Sequence, residues 1–247
     1  MRCAVILPAA GASTRFGKGE KKPFTNLGGR AIWQRSAELF WNRDDVLKLY
    51  VVVSAYDREL FEIRYRPTMI FANASVVEGG AERFESVANA LKQIPDDVEF
   101  VAIHDAVRPL CTVEQVNDVF NAAYQYGAAM LALPVADTLK RVDPATNTIT
   151  GTVPRANLWA AQTPQVFRRD WLVEAYAKRH TLIEAITDDA QLMEACGHAV
   201  KVVPGSPTNF KITTRDDLAL AEAVVLQRDS KPAKMLRAFA DDDDAGW

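Results

Sequence analysis

Short β-branched runs alternate along this chain with segments of helical periodicity, and that alternation is the strongest limit on how it can fold. The strand-like runs are Ala4–Leu7, Leu49–Ser54, Ser75–Val77, Glu99–Ile103, Ala129–Pro134, Ala199–Val203 and Phe210–Thr213. Between them, Ile32–Trp41, Ala81–Ile94, Val113–Tyr126 and Arg169–Lys178 place apolar residues three and four apart, the spacing of one helix face. The third of these has a start and a stop. Thr112 and Gln115 form a capping-box pattern, and Gly127 follows the last periodic residue. Thr187-Asp188-Asp189-Ala190 opens a further helix, which Gly197 closes. Strands that are apolar along their length have no solvent face. They belong in an α/β fold, a mostly parallel sheet with helices on both faces. Ligands of such sheets sit at the carboxyl ends of the strands, so the chemistry is sought there.

One stretch breaks the alternation. Asp137–Arg155 (DTLKRVDPATNTITGTVPR) reads as two short strands around an Asp-Pro-Ala-Thr-Asn turn. It has too few large apolar side chains to be stable as an isolated hairpin, so it is expected to protrude as a β-arm and dock elsewhere. From about Ser230 the chain turns polar and ends in DDDDAGW. Residues 230–247 read as a frayed helix and a disordered acidic tail. Net charge is −3, and Asp241–Asp244 account for more than all of it. No basic face emerges, which argues against a nucleic-acid partner. No apolar run approaches the ~20 residues that span a bilayer, so no membrane partner is expected. MRCAVILPAAG reads as a first strand and not a signal peptide, because a charged loop follows it. Cys3, Cys111 and Cys196 are odd in number and far apart, as expected of reduced thiols in a cytoplasmic protein.

The loop after the first strand begins with small residues (Pro8, Ala9, Ala10, Gly11, Ala12, Ser13) and then carries Arg15, Lys18, Lys21 and Lys22. It is not a Walker A loop: Gly11 and Gly17 enclose five residues, and Lys18 is followed by glycine. Nor does a G-x-G-x-x-G follow the strand, which disfavours a nicotinamide dehydrogenase. The physics is still that of a phosphate cradle, because small residues let backbone N–H groups approach an anion. A second such place is Gly79-Gly80, ahead of a helix whose first N–H groups are placed to receive an anion or a base edge. VAIHDAVRP brings His104, Asp105 and Arg108 to a strand end, where His104 is as well explained by packing as by chemistry. The only other histidines, His180 and His198, lack metal-ligand spacing. Lys211, in NFKIT, sits in an apolar strand-like run, where a bound phosphate would offset the cost of burying it.

No nucleophile–base pair emerges: there is no G-x-S-x-G elbow and no Cys–His constellation. That pattern suits a reaction in which the nucleophile is a substrate phosphate monoester. Its second pKa is about 6, so it is ionised at pH 7 and needs no general base. It needs positioning, and cations that meet charge in the transition state.

PAAG…R with a lysine seven residues after the arginine, EGG-x-E-R-x-x-S, HDA-x-RP, PV-x-DT-x-KR, LW-x-AQTPQ-x-F, TDDA and N-x-KIT occur here in one order, from about Arg2 to Gln227. In that set the chain resembles the 2-C-methyl-D-erythritol 4-phosphate cytidylyltransferases of the non-mevalonate isoprenoid pathway. The resemblance implies a Rossmann-like nucleotidyltransferase, a single domain over residues 1–229. It also implies a homodimer that exchanges its arm (137–155) and uses Mg²⁺. CTP would lie over Pro8, Ala9, Ala10 and Gly11, with Gly80 and Ser86 reading cytosine and Asp105 also in contact. Arg15 and Lys22 match the pair at the α-phosphate. Asp105, Arg108, Thr138 and Thr187 match the methylerythritol phosphate site. Arg155, from the partner's arm, and Lys211 match the residues that hold the attacking phosphate. Direct protein ligands of the metal are not implied. Lys22 keeps the family spacing from Arg15, while Lys21 competes for its role, and Ala81 stands where an aspartate is frequent. The rival readings are a ribitol 5-phosphate cytidylyltransferase, which shares the CTP half, and a non-catalytic nucleotide-binding module.

Overall fold

The computed structural model describes residues 2–11, 16, 21–179 and 186–230. From the N-terminus come β1 (Cys3–Pro8), β2 (Asn26–Leu27), β3 (Arg30–Ala31), α1 (Ile32–Glu38), β4 (Val46–Val53), α2 (Ala55–Phe71) and β5 (Ala74–Glu78). Then follow α3 (Arg83–Leu91), β6 (Phe100–Ile103), α4 (Val113–Tyr126), β7 (Ala128–Pro134), β8 (Leu139–Asp143) and β9 (Thr148–Val153). The chain continues through β10 (Trp159–Arg168), α5 (Arg169–Lys178), α6 (Asp189–Ala195), β11 (Lys201–Pro204) and α7 (Arg215–Ser230).

Seven strands form one sheet in the order β11-β7-β10-β6-β1-β4-β5. All are parallel except β10, which runs antiparallel between β6 and β7. Alternate residues of β1 enter opposite cores, as its apolar sequence requires. Val5 and Leu7 pack with Trp33, Phe61 and Phe120 beneath α1, α2 and α4. Ala4 and Ile6 pack with Val87, Leu91, Leu172 and Leu192 beneath α3, α5 and α6. A third cluster joins α7 to Phe16, Leu27, Ile32, Val107 and Ile212. β1 has β4 on one side and β6 on the other, so the strand order reverses there. That leaves a crevice at the carboxyl edge.

Six of the strand-like runs appear in the sheet, within a few residues of their expected bounds. Phe210–Thr213 does not. It lies past the carboxyl end of β6, where no strand edge is available, and Ile212 N donates to Val107 O at 2.9 Å. Its apolar side chains go instead into the cluster under α7. Five elements had no clear sequence signal, and two of them, β2 and β3, are only two residues long. α2 buries Phe61, Tyr65 and Met69 but also exposes Leu60, Ile63, Ile70 and Phe71, so its periodicity is blurred. α7 buries a sparse stripe of Leu218, Ala221 and Val225. β10 is interrupted by a bulge between Ala161 and Gln165. The arm is a hairpin, β8 pairing only with β9, and it leaves Val142 and Ile149 exposed. Its turn is held by Asp143, whose Oδ1 accepts from Ala145 N at 2.8 Å. The acidic tail from residue 231 lies outside the described residues.

The capping expectations hold. Thr112 Oγ1 accepts from Gln115 N at 3.3 Å, and Gln115 Oε1 accepts from Thr112 N at 3.0 Å. Gly127 ends α4 at φ +86°, and a Cβ there would lie 2.4 Å from the Trp171 ring. Gly127→Ala therefore combines a left-handed backbone with an overpacked contact, at about 2–4 kcal/mol in total. Urea unfolding of the variant should show that loss. A cost below about 1 kcal/mol would mean that α5 yields at Trp171.

Candidate active site

The crevice is a cleft of about 370 Å³ whose floor is the end of β1, Pro8 to Gly11. One wall is the turn after β5. A Cβ on Gly79 would come within 2.6 Å of Ala10 Cβ and 2.9 Å of Ser86 Oγ, so the two loops touch at a position only glycine allows. Ser86 is buried; its hydroxyl accepts from Gly80 N at 3.1 Å and donates to Glu82 O at 3.2 Å. Ala81 N and Glu82 N donate to Glu85 Oε2, at 2.8 and 3.2 Å. The turn thus satisfies these N–H groups itself. The expectation of an open anion cradle ahead of α3 is corrected: Glu85 already supplies the negative charge.

The opposite wall is built around Asp105, just beyond β6. Its buried carboxylate lies 3.0 Å from Lys211 Nζ and 3.4 Å from both Arg83 Nε and Arg108 Nε. Burial alone would raise its pKa; Arg83, Lys211 and Arg108 together outweigh burial and hold it far below the usual carboxylate range. Arg83 is itself bracketed. Its Nη1 donates to Asp189 Oδ2 at 2.7 Å, and Asp189 Oδ1 accepts from Tyr176 Oη at 2.6 Å. Burial works against the Arg83 charge, but Asp189 and Asp105 raise its pKa above the ordinary arginine value. Arg108 is further fixed by Asn209 O, at 2.8 Å.

The β10 bulge joins these parts. Thr163 Oγ1 accepts from Asp105 N at 3.0 Å, and Thr163 O accepts from Asn209 Nδ2 at 2.9 Å. Gln165 Nε2 donates to Asp188 Oδ2 at 2.9 Å, while its Oε1 accepts from Ala190 N at 3.0 Å. One short segment therefore ties the end of β6, the start of α6 and the Asn209–Lys211 loop to one another. His104 belongs to this framework and not to the chemistry. It is fully buried, with Nδ1 3.1 Å from Thr163 Oγ1 and Nε2 3.1 Å from Arg108 O. Burial lowers its pKa to about 4 against the pull of Asp105, so it is neutral at pH 7.

Pro8, Ala9, Ala10, Gly11 and Lys22 line the cleft on one side. Gly80 and Ser86 line one wall, and Asp105 and Lys211 line the opposite one. Lys21 does not line it: its Nζ is 2.5 Å from Asp57 Oδ2 and 3.2 Å from Ser54 Oγ, at the start of α2. Thr187 is exposed, its hydroxyl and N–H both on Gln191 Oε1, beside a smaller cavity of about 270 Å³ that shares Glu82 and Arg83 with the cleft. Thr138 and Arg155 sit at the two ends of the arm, exposed, and line neither cavity of their own chain. Arg15 lies outside the described residues, as do Lys18 and His180. Sequence reasoning quoted Arg83 and Asp189 within motifs without assigning them work. Their signal was an arginine at the first turn of α3 and a second aspartate at the first turn of α6, each just past a cap. Among the described residues no group of three or more His, Cys, Asp or Glu is placed to hold a metal. With Asp105 already engaged, a divalent cation would take its oxygens from a bound triphosphate and from water.

The comparisons with known proteins agree with this geometry. The family model for 2-C-methyl-D-erythritol 4-phosphate cytidylyltransferase (IspD) matches residues 3–227. A relative of that name from Rhodopirellula baltica is 40% identical, covering 91% of this chain and 97% of its own length. Another from Halalkalibacterium halodurans is 38% identical, covering 94% of this chain and all of its own length. The crystal structure of the enzyme of that name from Thermus thermophilus superposes with a TM-score of 0.73 at 34% identity, over 92% of this chain and 100% of that one. By the family model, by these relatives and by its fold, the chain belongs to the 2-C-methyl-D-erythritol 4-phosphate cytidylyltransferase family.

Proposed function

We propose that the chain joins CTP to 2-C-methyl-D-erythritol 4-phosphate, giving 4-diphosphocytidyl-2-C-methyl-D-erythritol and pyrophosphate for isoprenoid synthesis. An oxygen of the methylerythritol phosphate attacks the α-phosphorus of CTP. That O–P bond forms as the bond from the α-phosphorus to the bridging oxygen breaks, and the electron pair leaves with pyrophosphate. The observation that carries the reading is the meeting, in a small-residue cleft of a member of this family, of Lys22 with the Asp105–Arg83–Lys211 cluster. The attacking phosphate is ionised at pH 7, so the neutral, buried His104 is not needed as a base.

The triphosphate lies over Pro8–Gly11, with Gly80 and Ser86 at the cytosine. Lys22 and Arg15 meet the charge that develops at the α-phosphate. Asp105, Arg108, Thr138 and Thr187 hold the methylerythritol phosphate, and Lys211 and Arg155 orient its attacking oxygen. A divalent cation such as Mg²⁺, if bound with the triphosphate, would offset part of its charge. Residues 1–229 act as one cytoplasmic nucleotidyltransferase domain. The arm reaches a second copy, because its side chains Val142 and Ile149 find no cover on their own chain and Arg155 does not line its own cleft.

The reaction is tested by pyrophosphate release from CTP with a panel of polyol phosphates. Methylerythritol phosphate should give the highest kcat/KM; a preference for ribitol 5-phosphate would reassign the acceptor half, and no turnover with any would leave a binding module. Lys22→Ala should lower kcat by about 10²–10³, as for a lost oxyanion donor, with a smaller change in KM. Lys21→Ala should keep kcat within about tenfold, because Lys21 is engaged by Asp57. The reverse ranking would move the role to Lys21. Arg155→Ala and Lys22→Ala proteins, each inactive, should recover about a quarter of wild-type activity when mixed under subunit exchange. Random pairing makes about half the dimers mixed, each with one intact site. If nothing returns despite demonstrated exchange, Arg155 serves its own chain.

A further inference from the structure

Helix α2 is apolar on both faces, and only one of them is covered. Phe61, Tyr65 and Met69 are buried against the sheet. Tyr56, Leu60, Ile63, Ile70 and Phe71 stand on the opposite face, each between 68% and 84% exposed. With Pro67 they fall at spacings of four, three, four and three residues from Tyr56 to Ile70, a continuous stripe along a helix about 25 Å long. Beside the stripe, between α2 and the edge strand β5, lies a groove of about 470 Å³ formed by Ile63, Met69, Ile70, Ala74 and Val76, with Glu62 and Arg66 also lining it. Monomeric surfaces seldom leave a patch of this kind unclaimed.

We propose that this face is a self-association surface, on which α2 of a second copy of this chain packs antiparallel about a two-fold axis near Ile63. The flanking charges favour that occupant. Glu59 and Arg66 lie on the same flank of the stripe, and neither forms an ion pair with another described residue. Under the two-fold, residues whose numbers sum to about 126 come level along the axis. Glu59 then stands within about one residue rise, 1.5 Å, of the level of Arg66 in the second copy. The symmetry makes this opposite-charge pair twice on one flank, as an isologous contact requires. Tyr56 and Leu60 of one copy meet Ile70 and the groove of the other, so an apolar ridge fills an apolar recess. In a parallel pairing the two-fold would carry Glu59 and Arg66 of the second copy to the opposite side of the seam, and this pair would not form. The mixed signs along the helix (Asp57, Arg58, Glu59, Glu62, Arg64, Arg66) do not suit an anionic lipid surface, which selects a basic flank. The arm emerges after β7, whereas α2 packs on the edge strand β5 on the other side of the sheet. The contact is therefore separate from arm exchange.

Sedimentation of the full chain over a wide concentration range tests this. The wild-type mass should rise with concentration, and Ile63→Glu should weaken that association by at least about tenfold. Ile63→Glu should turn over substrate normally, since Ile63 lies outside the cleft. Glu59→Lys should weaken association, and Glu59→Lys with Arg66→Glu should restore it. Ile63→Cys, at the axis, should cross-link to its own copy on oxidation in a Cys196→Ser background. An identical mass for wild type and Ile63→Glu at every concentration overturns the proposal, as does a charge swap that fails to restore association. Ile63-dependent binding to phospholipid vesicles without any self-association would assign the face to a membrane and overturn it too.

Discussion

The buried carboxylate of Asp105 is the contact on which the rest of the site depends. Three cations converge on it within 3.4 Å, and without it they would repel one another at the rim of a single cleft. Removing one partner from a buried ion pair costs about 3–5 kcal/mol, because the other is left uncompensated. The arrangement therefore assembles positive charge before any phosphate arrives. Asp189 and Tyr176 anchor Arg83 from behind, while Lys211, the most exposed of the three cations, faces the cleft. A cluster assembled in advance needs little reorganisation when charge shifts, which is the main source of electrostatic rate enhancement.

The same need for fixed positions explains the antiparallel strand. β10 interrupts an otherwise parallel sheet, and its bulge presents Gln162, Thr163 and Gln165 to three different loops. Gln162 Nε2 reaches Ser206 O at 2.9 Å, Thr163 holds Asp105 and His104, and Gln165 holds the start of α6. Motifs far apart in sequence are in this way fastened to one strand. Side chains on a strand are more precise supports than side chains on loops.

Most of the sheet and the position of the cleft were legible in the sequence, because buried parallel strands and small-residue loops leave strong local patterns. What stayed hidden depended on contacts between distant segments. Spacing from Arg15 favours Lys22 over Lys21 but leaves Lys21 as a competitor; the placement of Asp57, in the first turn of α2, is what engages Lys21 elsewhere. Phe210 and Ile212 have strand-like character, yet no strand edge stands beside them, so packing under α7 prevails. α2 escaped notice because apolar residues on two faces cancel the periodicity that reveals a one-sided helix. Arg83 stood in plain view within a motif, but its importance rests on two aspartates more than twenty and more than a hundred residues away.

Phe16 has a quieter consequence. It stands between Gly11 and Lys21 in the sequence, and it is buried with Leu218 and Val225 of α7. Arg215 covers its ring at 4.3 Å and donates to its carbonyl at 3.2 Å. Phe16 is therefore held by the last described helix of the fold. A truncation or fusion that leaves residues up to Ser230 intact keeps that contact, whereas one that cuts into α7 would uncover Phe16. α7 thus clasps Phe16, so that residues some two hundred positions apart share one small core.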